Sequence, residues 1–187
     1  MIQEVIVTTQ NLAGTTHIAP MGIHVNPGEF IILPFHPSTT LDNILASKVA
    51  VINYCDDVRI FAGCLTGRKS WPLQAAEKIT GQVLQNSLAH CEVELISIEA
   101  DEIRPKLFCR ELHSVNHAPF TGFNRAQYSV LEAAILLSRL DRLPLEKIRT
   151  ELAYLTIGID KTAGPRELEA WGWLMRVFEQ HFEQHAV

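Results

Sequence analysis

Hydrophobic and polar positions in the first half of the chain come in short runs of alternating or β-branched residues. Glu4 to Thr9 is rich in valine, isoleucine and threonine and predicts a strand. Asn11-Leu12-Ala13-Gly14 predicts a hairpin turn, with Gly14 suited to positive φ, and Thr15 to Ala19 the returning strand. Pro20 has no N–H to give to a ladder. This second strand must therefore be an edge, or must bend or bulge through Ala19-Pro20-Met21-Gly22. Asn26-Pro27-Gly28 is another turn, and Glu29 to Pro34 a third strand. Leu41 to Ala46 reads as a short helix and Lys48 to Asn53 as a fourth strand. Asp56 to Phe61 supports at most one helical turn, and Trp71 to Gln85 reads as irregular or weakly helical. Cys91 to Ile98 and Lys106 to Val115 predict a long antiparallel pair turning near Ala100-Asp101-Glu102.

The period then changes. Between Asn124 and Leu140, the residues Val130, Ala133, Ala134, Leu137 and Leu140 recur at helical spacing. Asn124 with Gln127, or Ser129 with Glu132, has the spacing of a capping box. Pro144 opens a second helix with Leu145, Ile148, Leu152 and Leu155 on one face. Pro165 opens a third, whose stripe of Trp171, Leu174, Met175, Phe178 and Phe182 reads as packing rather than a cofactor box. Strands first and helices afterwards define an α+β chain, with domains expected at 1–120 and 121–187.

Composition narrows the classes. The 187 residues suit one large domain or a domain with a helical appendage, and a chain of this size buries roughly 70% of its unfolded surface without staples. Hydrophobic residues make up 47% and charged residues 20%, as in ordinary globular proteins. A net charge of −5 without a basic stripe argues against nucleic acid. No apolar run reaches membrane-span length, and the N-terminus lacks a signal-peptide pattern, so the default expectation is cytoplasmic. Cys55, Cys64, Cys91 and Cys109 form no C-x-x-C pair and read as free, buried thiols.

Two segments carry candidate chemistry. Pro37-Ser38-Thr39-Thr40-Leu41-Asp42-Asn43 offers three hydroxyls, adjacent N–H groups and an amide one turn on, at the positive end of a helix. A phosphate wants such converging donors; an ordinary helix cap needs the same residues and binds nothing. The segment Ala19-Pro20-Met21-Gly22 is small enough to let a planar ligand approach the backbone; alternatively it is a bulge that bends a barrel wall. His17, two residues before it, either faces the ligand or stands out from the pleat.

The order of these pieces resembles the flavin-reductase-like branch of the FMN-binding split barrels. The correspondence runs through Gly14, Ala19-Pro20-Met21, Pro27-Gly28, Phe30 to Leu33, Ser38 to Ile44 and Val49 to Asn53. Val5 to Ile23 resembles more closely the domain of unknown function 447 family, as do Asn124-Arg125-Ala126 and Glu132 to Ile135. The resemblance implies an FMN-binding split β-barrel followed by a C-terminal helical region, and a homodimer with FMN near the subunit interface. Ser38, Thr40 and Asn43 would then hold the phosphate, with Thr39 beside them. Ala19, Pro20, Met21 and Gly22 would line the isoalloxazine ring, with Thr8, Thr9 and Asn53 as neighbours. It further implies an oxidoreductase that moves hydride through flavin N5, with NADH or NADPH as donor and a small-molecule acceptor. A pterin-type one-carbon carrier is one candidate acceptor. The chain lacks the serine-rich strand of flavin reductases proper and adds helices. A flavin-binding or apo interaction module is the alternative, and a third reading puts a non-flavin nucleotide in the phosphate pocket.

Other motifs carry less. Gly63-Cys64-Leu65-Thr66-Gly67-Arg68-Lys69-Ser70 has one residue too few between its glycines for a phosphate loop, and Arg68 interrupts the required Lys-Ser. Arg59 is expected to pair with Asp56 or Asp57 or to meet an anion. His113 with His117, and His181 with His185, have the i, i+4 spacing of metal ligands but no further ligand set, so no metal is expected. No residue stands out as a general acid or base.

Overall fold

The alternation in the first strand decides which residues the barrel buries. In the computed structural model, which describes residues 1–185, β1 (Ile2–Gln10) places Val5 and Val7 in the barrel core. Ile6 and Thr8 point to the opposite face and are just as buried. β1 pairs antiparallel with β2 (Thr16–Asn26) from Ile2↔His24 to Gln10↔Thr16. The turn between them has Gly14 at φ 81°, and Asn11 Oδ1 accepts from the N–H groups of Ala13 and Thr15.

β3 (Glu29–Ile32), β4 (Val49–Tyr54), β7 (Ala89–Glu99) and β8 (Lys106–Asn116) complete a closed six-stranded barrel in the order β1-β2-β3-β8-β7-β4. Helix α1 (Thr39–Ser47) lies between β3 and β4 and sends Leu41 and Ile44 into the barrel core. The β1–β2 register continues unbroken through Ala19–Gly22, so no bulge interrupts it. Pro20 is tolerated because β3 pairs with β2 only from Ile23 onward, so that β1 is the one strand paired with Thr16–Gly22 among the described residues.

The segment expected to be irregular or weakly helical forms a small hairpin, β5 (Leu73–Ala75) with β6 (Gln82–Leu84). It lies on the outward face of β1 and β4. There Thr8 Oγ1 donates to Gln82 O, and Asn53 Oδ1 accepts from Leu84 N–H at 2.9 Å. The chain between its strands is held by Glu92. The buried carboxylate accepts from the N–H groups of Glu77, Lys78 and Ile79 at 2.7, 2.8 and 3.0 Å.

The chain divides into two compact units. One comprises Met1–Cys55 and Trp71–Phe120; the other comprises Asp56–Ser70 and Thr121–Val187, whose last two positions lie outside the described residues. The segment 56–70, placed by the sequence with the strands, thus packs with the helices. It forms α2 (Val58–Leu65), a full helix where one turn at most was expected. Asp57 caps it by accepting from Arg59 N–H. The second unit also contains α3 (Arg125–Leu137), α4 (Leu145–Thr162) and α5 (Pro165–Gln184). Its core joins Val58 and Ala62 to Val130, Ala133, Ile148, Leu152, Leu174 and Phe178. Asn124 caps α3 through its side-chain oxygen, which accepts from Ala126 N–H and Gln127 N–H. α3 ends at Leu137, before the expected Leu140, which begins a 3₁₀ turn instead.

Candidate functional site

Alternation sorts the predicted site residues onto two faces. Paired residues of antiparallel strands share a face. Thr9↔His17, Val7↔Ala19 and Val5↔Met21 therefore lie on the core side, and Thr8↔Ile18, Ile6↔Pro20 and Glu4↔Gly22 on the outward side. On the core side, Asn43 of α1 reaches Thr9, its Nδ2 donating to Thr9 Oγ1 at 3.0 Å with both residues buried. This bond joins Asn43 to the face of the β1–β2 pair that Thr9, Ala19 and Met21 share. Ala19 and Met21 are half-buried there.

The outward residues have other duties. Asn53 is fully buried. Its Nδ2 donates to Ile6 O at 3.1 Å and Thr8 Oγ1 at 3.2 Å, while its oxygen holds Leu84 N–H. Thr8 and Asn53 thus pin the β5–β6 hairpin to the wall. Gly22 leaves room for its cross-strand neighbour: a Cβ there would lie 3.0 Å from Glu4 Oε1.

The start of α1 has the anatomy of an anion receptor. Ser38 caps it in extended conformation, its Oγ accepting from Leu41 N–H at 3.2 Å, and Ser38 O accepts from Asp42 N–H. The N–H groups of Thr39 and Thr40, ahead of those, take no partner among the described residues. Thr40 is 2% exposed, yet its hydroxyl also has no hydrogen-bond partner among the described residues. Thr39 is exposed and Ser38 half-buried. A hydroxyl on a buried residue, beside two N–H groups with no partner among the described residues at the positive end of a helix, suits a phosphate. These residues therefore fit the phosphate end of FMN. A separate cavity of about 470 Å³ is lined by His36, Ala100, Asp101 and Glu102. Its two carboxylates make it a poor receptor for an anion.

The outward face also carries titratable groups that the sequence reading did not single out as a set. His90 pairs with Asn53 across β4 and β7, and Glu92 with Val51, so both lie beneath the hairpin. His90 Nδ1 is 2.8 Å from His117 Nε2, and its Nε2 is 3.4 Å from Glu92 Oε1. Burial lowers the His90 pKa below its ordinary value, partly offset by Glu92. Burial alone would raise that of Glu92, but the three backbone N–H groups and His90 outweigh it and hold the carboxyl low. Nothing local in the sequence announces this: Glu92 sits in a strand and its partners come from a loop more than ten residues earlier.

The remaining motifs resolve as structure. Arg59 pairs with buried Asp57 at 2.7 Å and with Glu169 at 3.2 Å. Arg68 stacks over Trp173 at 4.4 Å and donates to Thr66, so the glycine-containing loop is shaped by its own side chains. None of the four cysteines forms a disulfide; Cys91 and Cys109 are buried as expected, whereas Cys55 and Cys64 are only half-buried. Burial pushes the thiols of Cys64 and Cys91 up to about 11 and that of Cys109 to about 12. His185 Nδ1 lies 2.8 Å from His181 O, and no group of three or more His, Cys, Asp or Glu that could hold a metal occurs among the described residues. No helix among them is long and apolar enough to cross a membrane.

The barrel closed by α1, with a helical region after it, is the split β-barrel of flavin-reductase-like proteins. The FMN-bound protein MM1853 of Methanosarcina mazei is similar to this chain with a TM-score of 0.81 and 20% identity, covering 94% of each chain. The 2-nitrobenzoate 2-nitroreductase NbaA of Pseudomonas fluorescens gives 0.53 and 20%, covering 61% of this chain and 64% of its own. BorF, the flavin reductase component of a bacterial two-component tryptophan halogenase, gives 0.53 and 13%, covering 64% and 82%. The chain belongs to the family described as protein of unknown function DUF447: its N-terminal domain matches residues 3–118 and its C-terminal part residues 124–176. The comparison with curated proteins gave no match.

Proposed function

We propose that this chain binds FMN, with the phosphate at the start of α1 and the ring along the open stretch of β2. The observation that carries it is the partnerless Thr40 hydroxyl beside the free N–H groups of Thr39 and Thr40. Ser38, whose hydroxyl proton is not used by the helix cap, and Thr40 bind the phosphate. Asn43, whose Nδ2 donates one hydrogen to Thr9 Oγ1, offers its second Nδ2 hydrogen to the phosphate. Ala19 and Met21, and the backbone of the Thr16–Gly22 stretch, which β3 does not pair, orient the ring. FMN in this position would supply hydride transfer at N5 between NADH or NADPH and a small-molecule acceptor. A pterin-type one-carbon carrier is the first acceptor to test. The protein's share is binding, orientation and exclusion of water.

Thr40→Ala removes one charge-assisted hydrogen bond, about 1.5–3 kcal/mol, or roughly ten- to a hundredfold in FMN affinity. Fluorescence titration of both proteins checks it. An unchanged dissociation constant would remove Thr40 from the phosphate site.

Exposed apolar side chains on the helical unit, Tyr154, Ile157 and Leu168, favour a second reading in which that unit mediates assembly, including a homodimer in the cytoplasm. Turnover separates the readings. An enzyme's flavin is bleached by NADH or NADPH and recoloured by an acceptor; a binding module's is not.

A further inference from the structure

Helix α1 begins only after a six-residue connection, Leu33 to Ser38, that belongs to no strand or helix. The connection must be held for Ser38, Thr39 and Thr40 to converge on one anion. Its own residues do little of this. The grip comes from the tip of the β7–β8 hairpin, about seventy residues away in sequence.

Arg104 donates to Leu33 O from both Nη2, at 3.0 Å, and Nε, at 3.3 Å. The same guanidinium lies over the Phe35 ring, 4.8 Å from its centroid. Next to it, Ile103 O accepts from His36 N–H at 2.9 Å. Both gripping residues are themselves fixed: Asp101 Oδ1 accepts from the N–H groups of Ile103 and Arg104 at 2.8 and 2.6 Å. Those two bonds hold the Asp101 carboxyl below the usual carboxylate range. The connection is thus tied at Leu33, Phe35 and His36, immediately before the residues that face the anion.

We propose that Arg104 is a positioning residue for the phosphate end of the site: it clamps the β3–α1 connection and so pre-sets Ser38, Thr39 and Thr40. This rests on the phosphate reading above. A planar fork serves both contacts at once, donating twice to one carbonyl while stacking on a ring, which a lysine cannot reproduce. Loss of the clamp leaves the connection to be ordered by the ligand, at a cost in affinity for the phosphate end alone.

The test compares FMN with riboflavin, which lacks the phosphate, on the full chain. For the wild type, FMN is expected to bind more tightly than riboflavin. Arg104→Ala should weaken FMN roughly three- to tenfold and leave riboflavin unchanged. Arg104→Lys should not restore FMN binding, although it restores the charge. Amide hydrogen exchange over residues 34–40 should quicken in both variants. If Arg104→Ala does not fold, Phe35→Leu, which removes the stacking face, should show the same loss for FMN only. Equal wild-type affinities for the two flavins would overturn the phosphate reading and this inference with it. A wild-type preference for FMN that survives in Arg104→Ala, or in Phe35→Leu where that variant is used, would overturn the clamp alone. Equal weakening of both flavins, or full rescue by lysine, would also overturn it, showing general destabilisation or a long-range charge effect.

Discussion

Asn53 and Thr40 are two buried polar residues, both named as site candidates from the sequence, that differ in their hydrogen bonding. Asn53 has its amide and its oxygen engaged by Ile6, Thr8 and Leu84, so nothing remains for a ligand. Thr40 is equally buried and has no partner. The sequence grouped both with the cofactor, because residue type and position along a motif do not reveal which face of a strand a side chain takes. One step in register separates Thr8 from Thr9, and that step puts one under the β5–β6 hairpin and the other beside Asn43. Asn53→Ala should strand the Leu84 N–H and cost about 1–3 kcal/mol of stability. Urea unfolding measures the cost, and the same variant should keep its FMN affinity. A large loss of affinity at unchanged stability would return Asn53 to the site.

At the scale of elements, the strong periods were legible and the weak ones were not. β1, the β7–β8 pair and the helices after residue 120 follow their apolar patterns to within a few residues. β5 and β6 are three residues each, too short for alternation to register, and exist because buried groups of the barrel wall hold them. α2 was missed although Val58, Phe61, Ala62 and Leu65 have helical spacing behind an aspartate cap; the β-branched residues among them obscured it. Pro20 left an edge, a bend or a bulge as alternatives, and the strand passes through it without a bulge because β3 pairs with β2 only from Ile23 onward. The hydroxyl cap that opens α1 was legible, whereas the bonds from Arg104 to Leu33 were not, because they run across the fold.

The loop before β6 depends on charge. Glu92 holds three of its N–H groups, with His90 against the carboxylate and His117 against His90. Glu77, Lys78 and His113 are the other titratable groups around it. The folded Glu92 carboxyl titrates below its ordinary 4.5, so its contribution is present above that value and is lost as pH falls through the folded one. His90 is held below 6.5, so the unfolded chain takes up a proton that the folded one resists, and stability declines as pH drops below 6.5. Both effects act in the same direction. Stability should fall on acidification from pH 7 to pH 4. Glu92→Gln should lose about 1.5–3 kcal/mol at pH 7 and show a shallower acid decline. Denaturant unfolding at the two pH values checks this, and an unchanged slope in the variant would refute the charge lock.

The whole molecule joins a barrel unit, which carries every candidate ligand contact, to a helical unit whose core is built from α2, α3, α4 and α5. The family match runs through both. The change of period near residue 120 marked the second unit, while the return of residues 56–70 to it lay in contacts that the local pattern does not encode. The central claim concerns what the barrel unit holds, and the most direct measurement is the visible absorbance of freshly purified protein, with mass spectrometry of whatever heat releases. The account predicts a flavin spectrum and the mass of FMN, or, for protein purified colourless, saturable quenching when FMN is added. A colourless protein that leaves FMN fluorescence unchanged would contradict it.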